Sequence, residues 1–179
     1  GGTIRNNNVG WRGAGIASYG KIEMTGGTIS GNYARNGWGD GGAIHLSGVK
    51  NDTGEDYTAS DASYCTISDG NFTNNKSDGA GGAVCADGYS ILYVKGGAFK
   101  NNAAATTGGG INVYSSCLRM SGGTISENTA VSTNDSTGNG GGLNLTVGSV
   151  ADITGGTIEN NQSNSGGGIY ANGKSSFTA

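Results

Sequence analysis

Apolar residues in this chain come singly or in pairs, separated by glycine, asparagine and serine, and their spacing repeats from one end to the other. In one motif an apolar residue is followed three positions later by asparagine, at Ile4, Ile29, Phe72, Phe99, Ile125 and Ile158; the asparagines are Asn7, Asn32, Asn75, Asn102, Asn128 and Asn161. In a second, three small residues precede an aliphatic one, at Ile16, Ile44, Val84, Ile111, Leu143 and Ile169. A third anchor lies five residues before the first motif, at Met24, Ile67, Val94, Met120 and Ile153. Such runs are too short and too broken for helices, but they suit strands.

Alternation gives the strands two faces. Ile22, Cys65, Leu92 and Leu118 sit two residues before the third anchor and share its face, whereas Glu23, Thr66, Tyr93, Arg119 and Asp152 lie between and point outward. Leu46, Ala86, Val113 and Leu145 hold the same inward relation to the second anchor. A repeat of this length with three anchors predicts an all-β solenoid, a single-stranded parallel β-helix of about six coils with three short strands per coil, spanning 1–179 as one repeat segment. Like residues then stack on like. The six asparagines form a structural ladder at a corner, where amides hydrogen-bond along the stack and the residue tolerates a left-handed backbone. Asn101 aligns with Gly31, Asn74, Glu127 and Asn160 and reads as tolerant of change. Insertions at 47–63 and 129–139 lengthen two coils and are expected to form surface loops, where binding tends to reside.

Composition agrees with this shape. Glycine supplies 38 of 179 residues and proline none, which excludes collagen and points to turns and close backbone approach. A hydrophobic fraction of 34% is thin for a round globule and adequate for a solenoid with a narrow interior. The formal net charge of −3 offers no basic stripe, so nucleic acid is not an expected partner, and no apolar run is long enough for a transmembrane segment. Cys65, Cys85 and Cys117 match no zinc spacing and are odd in number, which fits small buried residues better than disulfides.

These motifs resemble the repeats of the chlamydial polymorphic outer membrane proteins, marked by Gly-Gly-Ala-Ile and Phe-x-x-Asn. Gly41-Gly42-Ala43-Ile44 matches the first, and Phe72-Thr73-Asn74-Asn75 and Phe99-Lys100-Asn101-Asn102 match the second. The Gly-Gly-Thr-Ile copies are also similar to repeats of large adhesin-like surface proteins of bacteria and archaea. The resemblance implies a right-handed coil in an extracellular, cell-surface protein that is often adhesive.

No outward column concentrates carboxylates as a polysaccharide-cleaving β-helix requires. His45, Cys85 and Asn112 fall side by side on outward positions of neighbouring coils, but with the thiol in the middle of the row a cysteine–histidine nucleophile is not expected, and His45 reads as an exposed imidazole. Asp52, Glu55, Asp56 and Asp61 form an acidic loop that is a weak calcium candidate without the alternating spacing of an EF-hand. A threonine column at Thr3, Thr28, Thr124 and Thr157 is broken by Asn71 and Ala98, which argues against a flat ice-binding surface. The expectation is therefore a non-enzymatic structural or adhesive scaffold without cofactors, displayed outside the cell. Its expected partners are host or glycan surface ligands, or further copies met through the coil ends. The alternative is a carbohydrate-binding or polysaccharide-cleaving β-helix. Both ends read as cuts within a longer array, since neither carries a capping element.

Overall fold

The computed structural model describes residues 1–48, 63–132 and 137–179. Every regular element among them is a β-strand, and every pairing is parallel between successive coils. The strands form three sheets whose order follows the chain, which is the arrangement of a parallel β-helix with three strands per coil. No helix among the described residues is long and apolar enough to cross a membrane.

The three strands are not simply the three anchors. The third and first anchors share one ten-residue strand in most coils, as in Lys21–Ser30, Tyr64–Thr73, Cys117–Ser126 and Val150–Glu159, which build the first wall. The glycines between the anchors bend this strand, and the register shifts there, between Met120, Ser121 and Thr124 for example. In one coil the strand divides into Ile91–Val94 and Ala98–Lys100. The second wall is made of two-residue strands just after the ladder asparagines, such as Tyr33–Ala34 and Ala103–Ala104. The third wall carries the second anchor, as in Ile44–Ser47, Val84–Asp87, Ile111–Tyr114 and Leu143–Thr146.

Register fixes the core. Ile4, Ile29, Phe72, Phe99, Ile125 and Ile158 pair in one continuous column. Phe72 and Phe99 stack with ring centroids 4.5 Å apart and planes inclined by 8°. Ile44, Leu46, Leu92, Ile111, Leu118 and Leu143 are fully enclosed. Burying each such aliphatic side chain contributes about 1.5–3 kcal/mol relative to leaving it in water. Towards the ends Ile4, Ile22, Met24, Ile153 and Ile158 are only partly buried, having a neighbouring coil on one side more than the other. Outside the wall, Arg119 meets Asp152 of the next coil at 3.0 Å and Lys100 meets Glu127 at 3.0 Å, exposed pairs that add little stability.

At one corner the asparagines form an unbroken chain of hydrogen bonds. The Nδ2 of Asn32, Asn75, Asn102 and Asn128 donates to the Oδ1 of the next asparagine at 3.0 Å, and that oxygen also accepts the donor residue's backbone N–H. Each Nδ2 also donates to a carbonyl of the preceding coil, as from Asn102 to Phe72 at 2.8 Å. The left-handed backbone belongs to the residue before the ladder asparagine. Asn6, Gly31, Asn74, Asn101, Glu127 and Asn160 have φ between 54° and 63°. The position of Asn101 is therefore not indifferent to substitution: it favours glycine or asparagine, the residues that enter this region at least cost, although one coil carries Glu127 there.

Two substitutions separate these roles. Asn102→Leu removes the oxygen that accepts the Asn75 backbone N–H and one of its Nδ2 protons, and the amide that donates to the Phe72 carbonyl. It is expected to cost about 1–3 kcal/mol for each buried group left unsatisfied. Glu127→Asn places a residue suited to φ of 55° in the corner and is expected to stabilise the fold by roughly 0.5–1 kcal/mol. Urea denaturation midpoints check both, and a neutral Asn102→Leu would contradict the ladder's contribution.

Candidate functional site

The outward side of the third wall carries the register row Ala17, His45, Cys85, Asn112, Asn144 and Tyr170. Solvent does not reach its centre: His45 is 1% exposed, Cys85 2%, Asn112 4% and Asn144 1%. The expectation of an exposed His45 is thus corrected. The covering comes from the turn before the second motif. Gly41 has φ of 68°, and a Cβ there would lie 2.3 Å from the Ile44 carbonyl oxygen, so only glycine permits the chain to fold back so sharply. The reversal brings the residue five positions upstream over the row. Thr107 Oγ1 donates to Asn112 Oδ1 at 3.1 Å, and Asp40 occupies the corresponding position over His45 and Cys85.

Side chains along the row bond to one another. Asn144 Nδ2 donates to Asn112 Oδ1 at 2.6 Å, and Asn112 Nδ2 lies 3.5 Å from Cys85 Sγ. His45 Nε2 and Asp87 Oδ2 lie 3.1 Å apart. Arg12, from the coil below, reaches both acids, with Nε 3.5 Å from Asp40 Oδ2 and a terminal nitrogen 3.5 Å from Asp87 Oδ2. Asp40 Oδ1 accepts the Ala80 N–H at 2.8 Å, whereas the buried Asp87 Oδ1 has no partner.

The electrostatics follow from burial and from these contacts. Burial raises the Asp40 carboxyl above its ordinary pKa, outweighing the Ala80 N–H and Arg12. Burial also pushes Asp87 upward, but hydrogen bonds from His45 and Ser47 and the charge of Arg12 prevail and hold it below its ordinary value. The Cys85 thiol is driven well upward by burial and by the neighbouring acids. A neutral, enclosed thiol flanked by His45 on one side and Asn112 on the other lacks both the access and the thiolate of a nucleophile. Cys65, Cys85 and Cys117 are all free and buried, and burial raises Cys65 to about 12.

Beside this cluster, on the side of Arg12, lies an open cleft of about 390 Å³ lined by Gly10, Trp11, Arg12, Asn36 and Trp38. It contains both tryptophans of the chain, 62% and 76% exposed. The Arg12 guanidinium lies 5.6 Å from the Trp11 ring centroid, and Asn36 Nδ2 donates to the Gly10 carbonyl at 2.7 Å. Asn36 has φ of 69°, and the hydrogen bond from Gly39 N–H to its carbonyl closes the turn that carries Trp38 outward.

The ladder asparagines stand apart from both features, at the corner between the first and second walls. The acidic loop residues Asp52, Glu55, Asp56 and Asp61 lie outside the described residues, as do most of the insertion at 47–63 and part of that at 129–139. Sequence reasoning placed His45, Cys85 and Asn112 side by side but missed Asp40, Arg12 and the tryptophan cleft. The signal for Asp40 was its place just before Gly41-Gly42-Ala43-Ile44; for the cleft it was the pair Trp11 and Trp38 at related positions in adjacent coils.

No protein family model, curated protein or solved structure matches this chain. The fold itself defines the class, a parallel β-helix.

Two outcomes are expected. His45→Ala opens a cavity and removes one of the Asp87 partners, which should cost about 2–4 kcal/mol in denaturant melts, where a silent substitution would contradict the buried row. With Cys65 raised to about 12, its thiolate fraction at pH 8 is roughly one in ten thousand. Iodoacetamide should therefore spare the three thiols in the native state and label them all after unfolding, as mass spectrometry would show.

Proposed function

We propose that this segment is a non-enzymatic adhesive scaffold of an extracellular surface protein and that it contacts glycans through the Trp11–Trp38 cleft. The observation that carries the reading is the pairing of two exposed tryptophans with Arg12 and Asn36 around one open depression. Large aromatic rings left in water cost free energy unless something covers them, and they mark binding surfaces. A pyranose ring has an apolar C–H face that lies flat on an indole and a rim of hydroxyls that a guanidinium and an amide can bind. An apolar surface with a few placed polar groups is the usual composition of a small-molecule site.

The nearby acids favour binding over cleavage. Asp78 accepts the Tyr33 hydroxyl at 2.7 Å and the Asn36 N–H at 3.1 Å, Asp40 accepts the Ala80 N–H, and Asp87 faces His45. These carboxylates are engaged within the protein, and none of them lines the cleft. A stacked solenoid suits display because its walls hold surface groups at fixed spacing, and the similarity of its motifs to adhesin-like repeats supports a location outside the cell.

The chain is expected to bind a subset of a glycan array, with affinity in the millimolar to micromolar range measured by tryptophan fluorescence. Trp11→Ala and Trp38→Ala should each weaken binding at least about tenfold, equivalent to roughly 1.4 kcal/mol, with unchanged melting because both rings are exposed. Binding that survives both substitutions would place the ligand elsewhere. Release of reducing ends from a bound polysaccharide would replace the scaffold with the cleaving alternative.

A further inference from the structure

We propose that Asp40, His45 and Cys85 form a binding site for a divalent transition-metal ion of the zinc class. Their donor atoms, a carboxylate oxygen, an imidazole nitrogen and a thiol sulfur, all lie within 4.8 Å of one another, and His45 and Cys85 are buried. Mixed oxygen, nitrogen and sulfur donors are the set that zinc takes, and three protein ligands leave a fourth position for water. A tetrahedral ion with bonds of about 2.0–2.3 Å holds its donors roughly 3.3–3.8 Å apart, so the side chains close by up to roughly 1.5 Å on binding. Asp40 Oδ1 is held by the Ala80 N–H at 2.8 Å, while Oδ2 meets Arg12 only at 3.5 Å and is the oxygen available to the ion.

The surroundings already have the form of an outer coordination shell. Metal-bound histidines characteristically donate the other ring N–H to a carboxylate. In the tautomer that donates Nε2–H to Asp87, Nδ1 keeps its lone pair. Asn112 lies against Cys85 Sγ, where its amide can bond a thiolate. Charge points the same way. The half-buried acids Asp40 and Asp87 share a single guanidinium, that of Arg12. A divalent cation adds positive charge beside these two acids as it displaces the thiol proton: the S–H bond breaks, a metal–sulfur bond forms and the proton leaves to solvent, with no change of oxidation state. The site does not depend on the glycan reading.

The test is titration of the untagged, metal-stripped chain with Co²⁺, followed by displacement with Zn²⁺. The expected result is a near-ultraviolet thiolate-to-cobalt band with tetrahedral visible bands, bleached by Zn²⁺ and accompanied by a rise in melting temperature. Cys85→Ala should abolish the band, while Cys117→Ala, which removes a thiol elsewhere, should keep it. His45→Gln, with folding checked by circular dichroism, provides a second ligand deletion should Cys85→Ala fail to fold. Asp87→Asn should bind about ten- to a hundredfold more weakly, as for a lost outer-shell partner. No thiolate band in the wild-type chain at excess cobalt would overturn the site. So would a band that survives in folded Cys85→Ala or His45→Gln.

Discussion

In-register parallel stacking requires every side chain to sit above and below its counterpart, so each column must be filled by residues that tolerate their own kind. Apolar columns meet the condition without difficulty, and so do paired aromatics such as Phe72 and Phe99. Polar columns rarely do, because a donor above a donor leaves both unpaired in a low-dielectric interior. Asparagine escapes the problem by carrying a donor and an acceptor on one short amide. Stacked in register, Asn32, Asn75, Asn102, Asn128 and Asn161 satisfy one another and cap backbone groups that the corner would leave bare. The rest of the solenoid hangs on that corner, since it sets the phase of each coil against the next.

Against this rule of like on like, the outer row of the third wall stands out by its variety. Ala17, His45, Cys85, Asn112, Asn144 and Tyr170 share one register line but no common chemistry. The row is roofed by the turn that the glycine triplet permits, so its polar groups must find partners within the protein. Most do so through His45–Asp87 and Asn112–Asn144, but Asp87 Oδ1 and Asn144 Oδ1 remain unpaired. Departures from local consistency are where a repeat fold adds something beyond its own stability. Arg12 joins this row to the tryptophan cleft, touching Asp40 and Asp87 on one side and Trp11 on the other.

The periodicity of the sequence made most of the architecture legible. Column membership, inward and outward faces and the asparagine positions are all properties of spacing, which a repeat displays many times over. Spacing did not show how the anchors divide among strands, because the glycines between Met24 and Ile29 bend a strand without ending it. Nor did it show that the left-handed corner lies one residue before each ladder asparagine, since asparagine suits both positions. The burial of His45 was hidden for a different reason. Alternation tells which side of a wall a residue faces, but not that Asp40 and its turn fold back across that side. Cleft and cluster alike arise from contacts between coils, and so from three-dimensional closure of the turns around Gly41 and Gly39.

The central claim is that identical amides stacked in register hold the coils together. Side-chain amide hydrogen exchange, followed by nuclear magnetic resonance in the native protein, tests it most directly. The Nδ2 protons of Asn32, Asn75, Asn102 and Asn128 should exchange slowly, on the timescale of global opening, while those of the adjacent corner residues Asn74 and Asn101 exchange at rates close to a free amide. Fast exchange of the ladder amides at the same rate as Asn74 and Asn101 would contradict the account.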